Sequence, residues 1–300
     1  MQHHKKMQDI LNRIAIFDKL YDVIRLVDPT MKRVIEHDNF SNTSGNVLDS
    51  TCYYFWQRNQ ICDNCISIRA FNENTTYVKI EYNLKDIFMV TAIPYEMEER
   101  RVIIELIKKI TDSMVFESTI PGKKSEVHTL IDGINILALI DSLTGLYNRR
   151  YISERLPVDL VSSVLAKQDI SIIMADIDNF KEVNDKYGHL AGDKVLKMSS
   201  KAILNSIRRE SDWVSRFGGE EFLICLPGAG TEKAVEIAEG IRKEIEAMEI
   251  DLGKQKIHIT TSLGISSFGS IQGHTTDDLI EAADAKLYLA KNKGRNKVEY

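Results

Sequence analysis

Four carboxylates stand at the ends of two apolar runs. Asp176 and Asp178 close "ISIIMADID" (170–178), and Glu220 and Glu221 follow the glycine pair of "RFGGEEF" (216–222). A hard divalent cation such as magnesium takes oxygen ligands of this kind and keeps part of its water shell. In phosphate chemistry such an ion clamps phosphate oxygens and activates an attacking oxygen. That chemistry needs two or three carboxylates at the ends of neighbouring strands. If these two strands are neighbours, up to four meet at one edge. Side chains alternate along a strand, so Glu220 and Glu221 are expected on opposite faces and in different roles. Gly218 and Gly219 suit a two-residue hairpin turn, which needs positive φ, and their bare backbone would admit a nucleotide. Taken alone, the same residues also read as an ordinary hairpin followed by solvated glutamates.

Other polar groups fit a nucleotide. "FKEVNDKYGHLAGD" (180–193) carries Asn184 and Asp193. An Asn amide donates and accepts, and a carboxylate accepts from ring N–H groups, so the two can read a base edge; turns and caps favour the same residue types. Lys181, Lys291 and Arg295 are candidate phosphate holders, or ordinary surface charge. Arg209 and Asp212 stand three apart just before the glycines. Neither G-x-x-x-x-G-K-[ST] nor G-x-G-x-x-G occurs, which disfavours a P-loop or dinucleotide fold. Of four cysteines, Cys52, Cys62 and Cys65 cluster. In a reducing compartment three clustered thiols suggest a metal or redox site with a further ligand from elsewhere, or a plain packed segment. Cys225 lies in an apolar strand and reads as core.

The elements that must position these groups are legible in outline. Three hundred residues suit two domains. A 43% hydrophobic and 28% charged composition is that of a soluble globular chain. The net charge of −5 provides no overall field for nucleic acid or anionic membrane, so a polyanionic substrate needs local cations or a metal. No apolar stretch is long enough to cross a bilayer, and the N-terminus lacks a signal-peptide apolar region. A cytoplasmic location without membrane insertion is expected. In the first half, "YDVIRLVDPTMKRVIEHD" reads as strand, turn at Asp28-Pro29, strand. "TTYVKIEYNLKDIFMVTAIPYE" reads as a hairpin around 83–86, and 102–107 favours a strand by its β-branched residues, although a short helix fits the period nearly as well. "VHTLIDGINILALID" spaces its apolar residues as a helix, either packed on its own domain or pairing with a second copy. In the second half strands and helices alternate around the Gly-Gly hairpin, with Thr231 placed to cap one helix.

Four ordered motifs then become recognisable: "DSLTGLYNRR" (141–150), "DIDNFKEVNDKYGHLAGD" (176–193), "RESDWVSRFGGEEF" (209–222) and "AKNKGRN" (290–296). They resemble the GGDEF family of diguanylate cyclases, with the signature in its GGEEF form. The resemblance implies an α/β fold like the palm of nucleotidyl cyclases and polymerases, and condensation of two GTP into cyclic di-GMP with release of pyrophosphate. By the same match Asp176, the Ile177 carbonyl, Glu220 and Glu221 would hold Mg2+ or Mn2+, and the glutamate pair would help deprotonate the attacking 3′-hydroxyl. Asn184 and Asp193 would recognise guanine, with Gly218 and Gly219 at the nucleotide. Lys181, Lys291 and Arg295 would contact phosphates, and Phe180 and Leu196 would be core or pocket wall. Two GTP molecules must face each other, so a homodimer is implied. Arg209 and Asp212 match the family's R-x-x-D product-inhibition site, which makes cyclic di-GMP both product and inhibitor. DNA and RNA are not expected partners. The alternative activity is a catalytically silent cyclic di-GMP receptor.

The first half resembles PAS sensor domains more loosely, through "IRLVDPTMKRVI" and the strand pair ending near 112. The expected organisation is a tail (1–13), an α+β PAS-like sensor (14–118), a linker helix (119–140) and the cyclase domain (141–300). In this layout the Cys52, Cys62 and Cys65 cluster belongs to the sensor.

Overall fold

The computed structural model describes residues 20–39, 51–58, 61–62, 64–83, 86–97, 100–110, 129, 131, 133, 136–208, 211–253, 255–269 and 275–300. The chain forms two units, Met1–Ala138 and Leu139–Tyr300. The expected tail and most of the expected linker helix lie outside the described residues. No helix among the described residues is long and apolar enough to cross a membrane.

In the first unit, strands β1 (Val23–Asp28), β2 (Arg33–Asn39), β3 (Tyr77–Tyr82), β4 (Ile87–Met97) and β5 (Arg100–Lys109) form one antiparallel sheet in the order β2-β1-β5-β4-β3. Alternation divides its residues between two cores. Val23, Phe88, Val90, Ile103 and Ile107 pack with Trp56 and with Ile66 and Ala70 of helix α1 (Ile66–Glu73). Ile24, Leu26, Val102, Ile104 and Leu106 line the other core. Arg25 and Glu105 are opposed across β1 and β5 and pair at 2.6 Å, both buried.

The second unit is built on β6 (Ile170–Ile177), which is buried along its whole length. That explains its unbroken apolar run: it lies at the centre of the sheet β12-β11-β6-β8-β7 and is covered on both faces. Strand β6 pairs antiparallel with β8 (Glu221–Pro227) and β11 (Thr261–Phe268). Strand β7 (Trp213–Gly218) flanks β8, and the short β12 (Val298–Glu299) runs parallel to β11. Ile173, Ala175, Ile177, Phe222, Ile224 and Leu226 face helices α4 (His189–Asn205) and α5 (Thr231–Ala247). Ile170, Ile172, Met174, Leu223 and Cys225 face α2 (Arg149–Ala166) and α6 (Thr276–Asn292). Helix α3 (Phe180–Tyr187) follows β6 directly, with Phe180 in the α4–α5 core. A two-stranded ribbon, β9 (Ile250–Asp251) and β10 (Lys256–Ile257), completes the unit.

One local expectation is corrected, and one helix was not read from the sequence. Helix α5 is capped by Gly230, with Thr231 inside the helix; a Cβ at 230 would lie 2.8 Å from Asp169 Oδ2, so a side chain here would have to displace that carboxylate. The one reciprocal cap in the second unit's helices is at Thr275, whose hydroxyl accepts the Asp278 amide while Asp278 accepts the Thr275 amide. Helix α2 gave no clear apolar period in the sequence because Glu154 and Asp159 lie among its buried residues. Arg155 and the Trp213 indole both donate to Asp159 and so satisfy it.

Candidate functional site

Antiparallel pairing of β6 with β8 sets Asp176 directly opposite Glu221. The two continue the faces of Met174 and Leu223, so both carboxylates emerge on the α6 side of the sheet. Helix α6 comes close there because β11 carries Gly264: a Cβ at that position would lie 2.8 Å from Leu287 Cα and closer still to the Leu287 amide and the Ala283 carbonyl. One helical turn beyond Leu287, Lys291 reaches the strand end, and its Nζ stands 2.7 Å from Asp176 Oδ2.

The hairpin turn is shifted by one residue from the expected one. Gly218 pairs with Glu221, so Gly219 and Glu220 occupy the turn, and of the two glycines Gly219 alone has positive φ (50°). That is the first central position, where a type II′ hairpin takes glycine. Glu220 therefore lies in the turn, outside the strand alternation on which the expectation of opposite faces rested. Its backbone carbonyl accepts the Ile177 amide (3.4 Å), and its charge acts on both Asp176 and Glu221.

The electrostatics follow from this crowding. Burial pushes the Asp176 carboxyl up to about 6; Lys291 opposes the shift, and Glu220 and Glu221 add to it. Glu221 is also raised, first by burial and then by Asp284 and Glu220, against the pull of Lys291 and Arg149. Asp141 goes the other way. Burial raises it, but the Thr144 hydroxyl and amide and the Arg216 guanidinium outweigh burial and hold it below the usual range. Among the described residues no three His, Cys, Asp or Glu side chains form a ready cation cage; at Asp176 the Lys291 ammonium supplies the positive charge.

Of the up to four carboxylates expected at this edge, Asp178 is engaged by other parts of the protein. Asp178 is buried and takes Thr260 Oγ1 (2.7 Å), Ser262 Oγ (2.7 Å) and the Asn296 amide (3.0 Å). Asn184 packs on α4, with its Oδ1 and Cγ against Gly192, where a Cβ would lie 3.0 Å from Cγ. This sets Asn184 beside Asp193 at the α3–α4 junction. Lys181 is exposed on the first turn of α3, and Arg295 is exposed after α6. An open groove of about 480 Å3 lies nearby, over Lys186, Tyr187, Leu190 and Leu252, and none of the expected nucleotide-binding residues line it.

Arg209 lies outside the described residues. Asp212 is buried and engaged: Oδ2 accepts from the Arg208 amide and Nε (3.0 Å each), and Oδ1 from Arg208 Nη2 (2.7 Å) and Ser211 Oγ (3.0 Å). Two charges at the edge were missed by motif reading. Arg149, whose guanidinium lies 4.6 Å from the Phe217 ring centre, and Asp284 on α6 both act on Glu221. Nothing in local spacing links positions 149, 221 and 284, which the tertiary fold brings together.

In the first unit Cys52, Cys62 and Cys65 line one cavity of about 30 Å3 with Arg25, Ser67, Lys79, Glu81 and Glu105. Burial raises all three thiols, Cys65 to about 12. Arg25 Nη1 is buried without a hydrogen-bond partner.

Residues 138–297 match the family described as diguanylate cyclase, GGDEF domain. The chain is 41% identical over 164 residues to diguanylate cyclase VdcA of Vibrio cholerae, covering 54% of this chain and 46% of that protein. It is 33% identical over 240 residues to diguanylate cyclase A of Treponema denticola, covering 76% of this chain and 64% of that one. It thus spans about half to two thirds of these relatives. The second unit is similar to the crystal structure of the GGDEF domain of DgcB from Caulobacter crescentus in complex with c-di-GMP, at 30% identity and a TM-score of 0.52, over 54% of this chain and 92% of that one. The match along residues 138–297, which include the adjacent ends of β6 and β8 with Asp176, Glu220 and Glu221, makes this chain a member of the GGDEF diguanylate cyclase family.

Proposed function

We propose that the chain condenses two GTP molecules into cyclic di-GMP with release of two pyrophosphates. The observation that carries this is the convergence of Asp176, Glu220, Glu221 and Lys291 on one sheet edge of a GGDEF domain. Diguanylate cyclase relatives and a GGDEF domain solved with c-di-GMP support it.

The donor set fits a divalent ion. Burial and mutual repulsion raise Asp176 and Glu221, a concentration of negative charge that a cation would relieve. Asp176, the Ile177 carbonyl, Glu220 and Glu221 would hold Mg2+ or Mn2+. When bound, such an ion polarises the α-phosphate and lowers the pKa of the 3′-hydroxyl. Lys181, Lys291 and Arg295 hold phosphates, and Lys291 is already aimed at the anionic edge. Asn184 and Asp193 read guanine, and Gly218 and Gly219 admit the nucleotide. Catalysis is then mostly positioning and electrostatics. Each domain holds one GTP and each 3′-hydroxyl attacks the other's α-phosphate, so two copies must face each other as a homodimer.

Product inhibition through Arg209 and Asp212 belongs to the same reading. Asp212 is paired with Arg208, so cyclic di-GMP would bind there by displacing or sharing that guanidinium. The first unit is read as a PAS-like input domain (14–118) joined by a helix (119–140) to the cyclase domain (141–300), its sheet, helix α1 and small cavity supplying a sensor scaffold. Cys52, Cys62 and Cys65 are its candidate metal or redox centre. Their raised thiols count against rapid thiol exchange and against metal ligation alike, since both run through the thiolate; metal content of the purified chain against a Cys62→Ser/Cys65→Ser variant tests the metal reading.

Purified protein with GTP and Mg2+ should form cyclic di-GMP, and Glu221→Gln should fold but form none. Absence of product from wild type, with cyclic di-GMP still bound, would replace this reading with the receptor. A predominantly mixed dinucleotide in ATP–GTP competition would overturn guanine selection.

A further inference from the structure

Asp178 lies two residues beyond Asp176 and is 5% exposed. Its three accepted hydrogen bonds, from Ser262 to Oδ1 and from Thr260 and the Asn296 amide to Oδ2, use most of its roughly four acceptor sites. Its own N–H donates to Thr260 O (2.9 Å). A cation would have to compete with this set for a buried carboxylate.

The turn it grips is unusual. Gly294, Arg295 and Asn296 all have left-handed φ, at 103°, 61° and 48°. That conformation costs a non-glycine residue roughly 1–2 kcal/mol, so two in succession persist only where the surroundings over-determine them. Here they do. Asn296 accepts from Arg242 Nη1 (3.0 Å) and donates to Glu246 Oε1 (2.6 Å), and Arg242 Nη1 also reaches Glu246 Oε2 (2.8 Å). The Arg295 amide closes onto Ala290 O (3.0 Å). This turn joins Lys291, paired with Asp176, to β12, which is paired with β11. A strained turn held by a buried carboxylate from one side and an Arg–Glu pair from the other therefore carries Arg295 and directly follows the helix end that bears Lys291, the two basic residues of this segment expected to meet phosphate.

We propose that Asp178 is a positioning residue: it anchors the 294–296 turn, and through it Lys291 and Arg295, at the nucleotide edge, and it is not a metal ligand. The inference rests on the GTP-condensing reading above and assigns this edge a further residue.

The test uses the full chain as wild type, Asp178→Asn and Asn296→Gly. The second variant keeps the backbone N–H and the freedom for positive φ while cutting the ties to Arg242 and Glu246. Measured are kcat, KM for GTP, Kd for a non-hydrolysable GTP analogue, and the Mg2+ concentration giving half-maximal rate. Both variants should lose about tenfold or more in kcat/KM, chiefly through KM and matched by analogue Kd, the scale of a misplaced positioning group. Their Mg2+ requirement should stay at the wild-type value. A raised Mg2+ requirement in Asp178→Asn with unchanged KM would make it a metal ligand and overturn the proposal, as would wild-type KM and Kd in both variants. If Asp178→Asn does not fold, Asn296→Gly decides by the same criterion. Failure of the wild type to make product would overturn the activity, while analogue Kd would still test the anchor.

Discussion

Replacing Asp176 by Asn should remove catalysis and at the same time stabilise the second unit, with a defined pH dependence. Asp176 is held at about 6 against an ordinary value of 3.8, first by burial and then by Glu220 and Glu221, with Lys291 opposing. A displacement of about two units at about 1.4 kcal/mol per unit gives ~3 kcal/mol as the upper cost of ionising it in the native state. Water at the open edge reduces the expected figure to ~1–3 kcal/mol. The sign is fixed by the order of the two values. The folded pKa lies above the unfolded one, so the native state takes the proton first and is relatively favoured at low pH. Wild type loses stability as pH rises from about 4 to about 6, and the full cost is present above that. Asn cannot ionise, keeps the shape, and still offers Oδ1 to Lys291. Asp176→Asn should therefore be more stable than wild type at pH 8, with the difference shrinking through pH 6 and gone near pH 4. Urea unfolding in a chelator, followed by Trp213 fluorescence in a Trp56→Phe background, isolates the second unit, because these are the chain's two tryptophans. A variant less stable than wild type at pH 8, or a difference that does not change with pH, would refute the reasoning.

Other outcomes are expected from particular contacts. Gly264→Ala drives a Cβ into the Leu287 and Ala283 backbone, so α6 must lift; it should cost ~3 kcal/mol or more in urea unfolding and lower kcat/KM by displacing Lys291. Arg208→Ala strips two hydrogen bonds from Asp212, whose side chain is fully buried, and should cost ~1–3 kcal/mol, with Arg208→Lys recovering part of it; an unchanged midpoint would mean that the pair carries nothing. The Arg208 amide is retained in both variants, so the loss stays below that of a bare buried charge. Removing divalent ions should abolish turnover and Mg2+ should restore it, while Glu221→Gln should remain inactive at saturating Mg2+; chelator-resistant turnover would sink the metal assignment.

Much of this was legible before folding. The apolar run 170–177 announced a strand covered on both sides, because a residue sequence without alternation has no solvent face to satisfy. The carboxylates at its end and after the glycines were legible as candidate cation ligands, because few other residue types offer hard oxygen. The strand pair around Asp28-Pro29, the hairpin around 83–86 and the strand at 102–107 are present as read. Less legible were features set by one residue of register. The turn centred on Gly219 and Glu220 differs by a single step from the expected glycine pair, and that step moved Glu220 out of the strand. Helix α2 escaped notice because its buried acids are satisfied by partners such as Arg155 and Trp213, and the tryptophan lies 54 residues from Asp159.

The amino-acid sequence by itself determined the alternation of elements, the inward faces of β6, the family motifs and the types of group available for phosphate chemistry, because these depend on local periodicity and side-chain chemistry. Only the tertiary structure decided which acids share an edge. It set Asp176 opposite Glu221, let Gly264 draw Lys291 onto Asp176, and turned Asp178 away to hold a strained turn. Those assignments depend on distances between segments far apart in the chain, and a carboxylate's role is fixed by which donors reach it first.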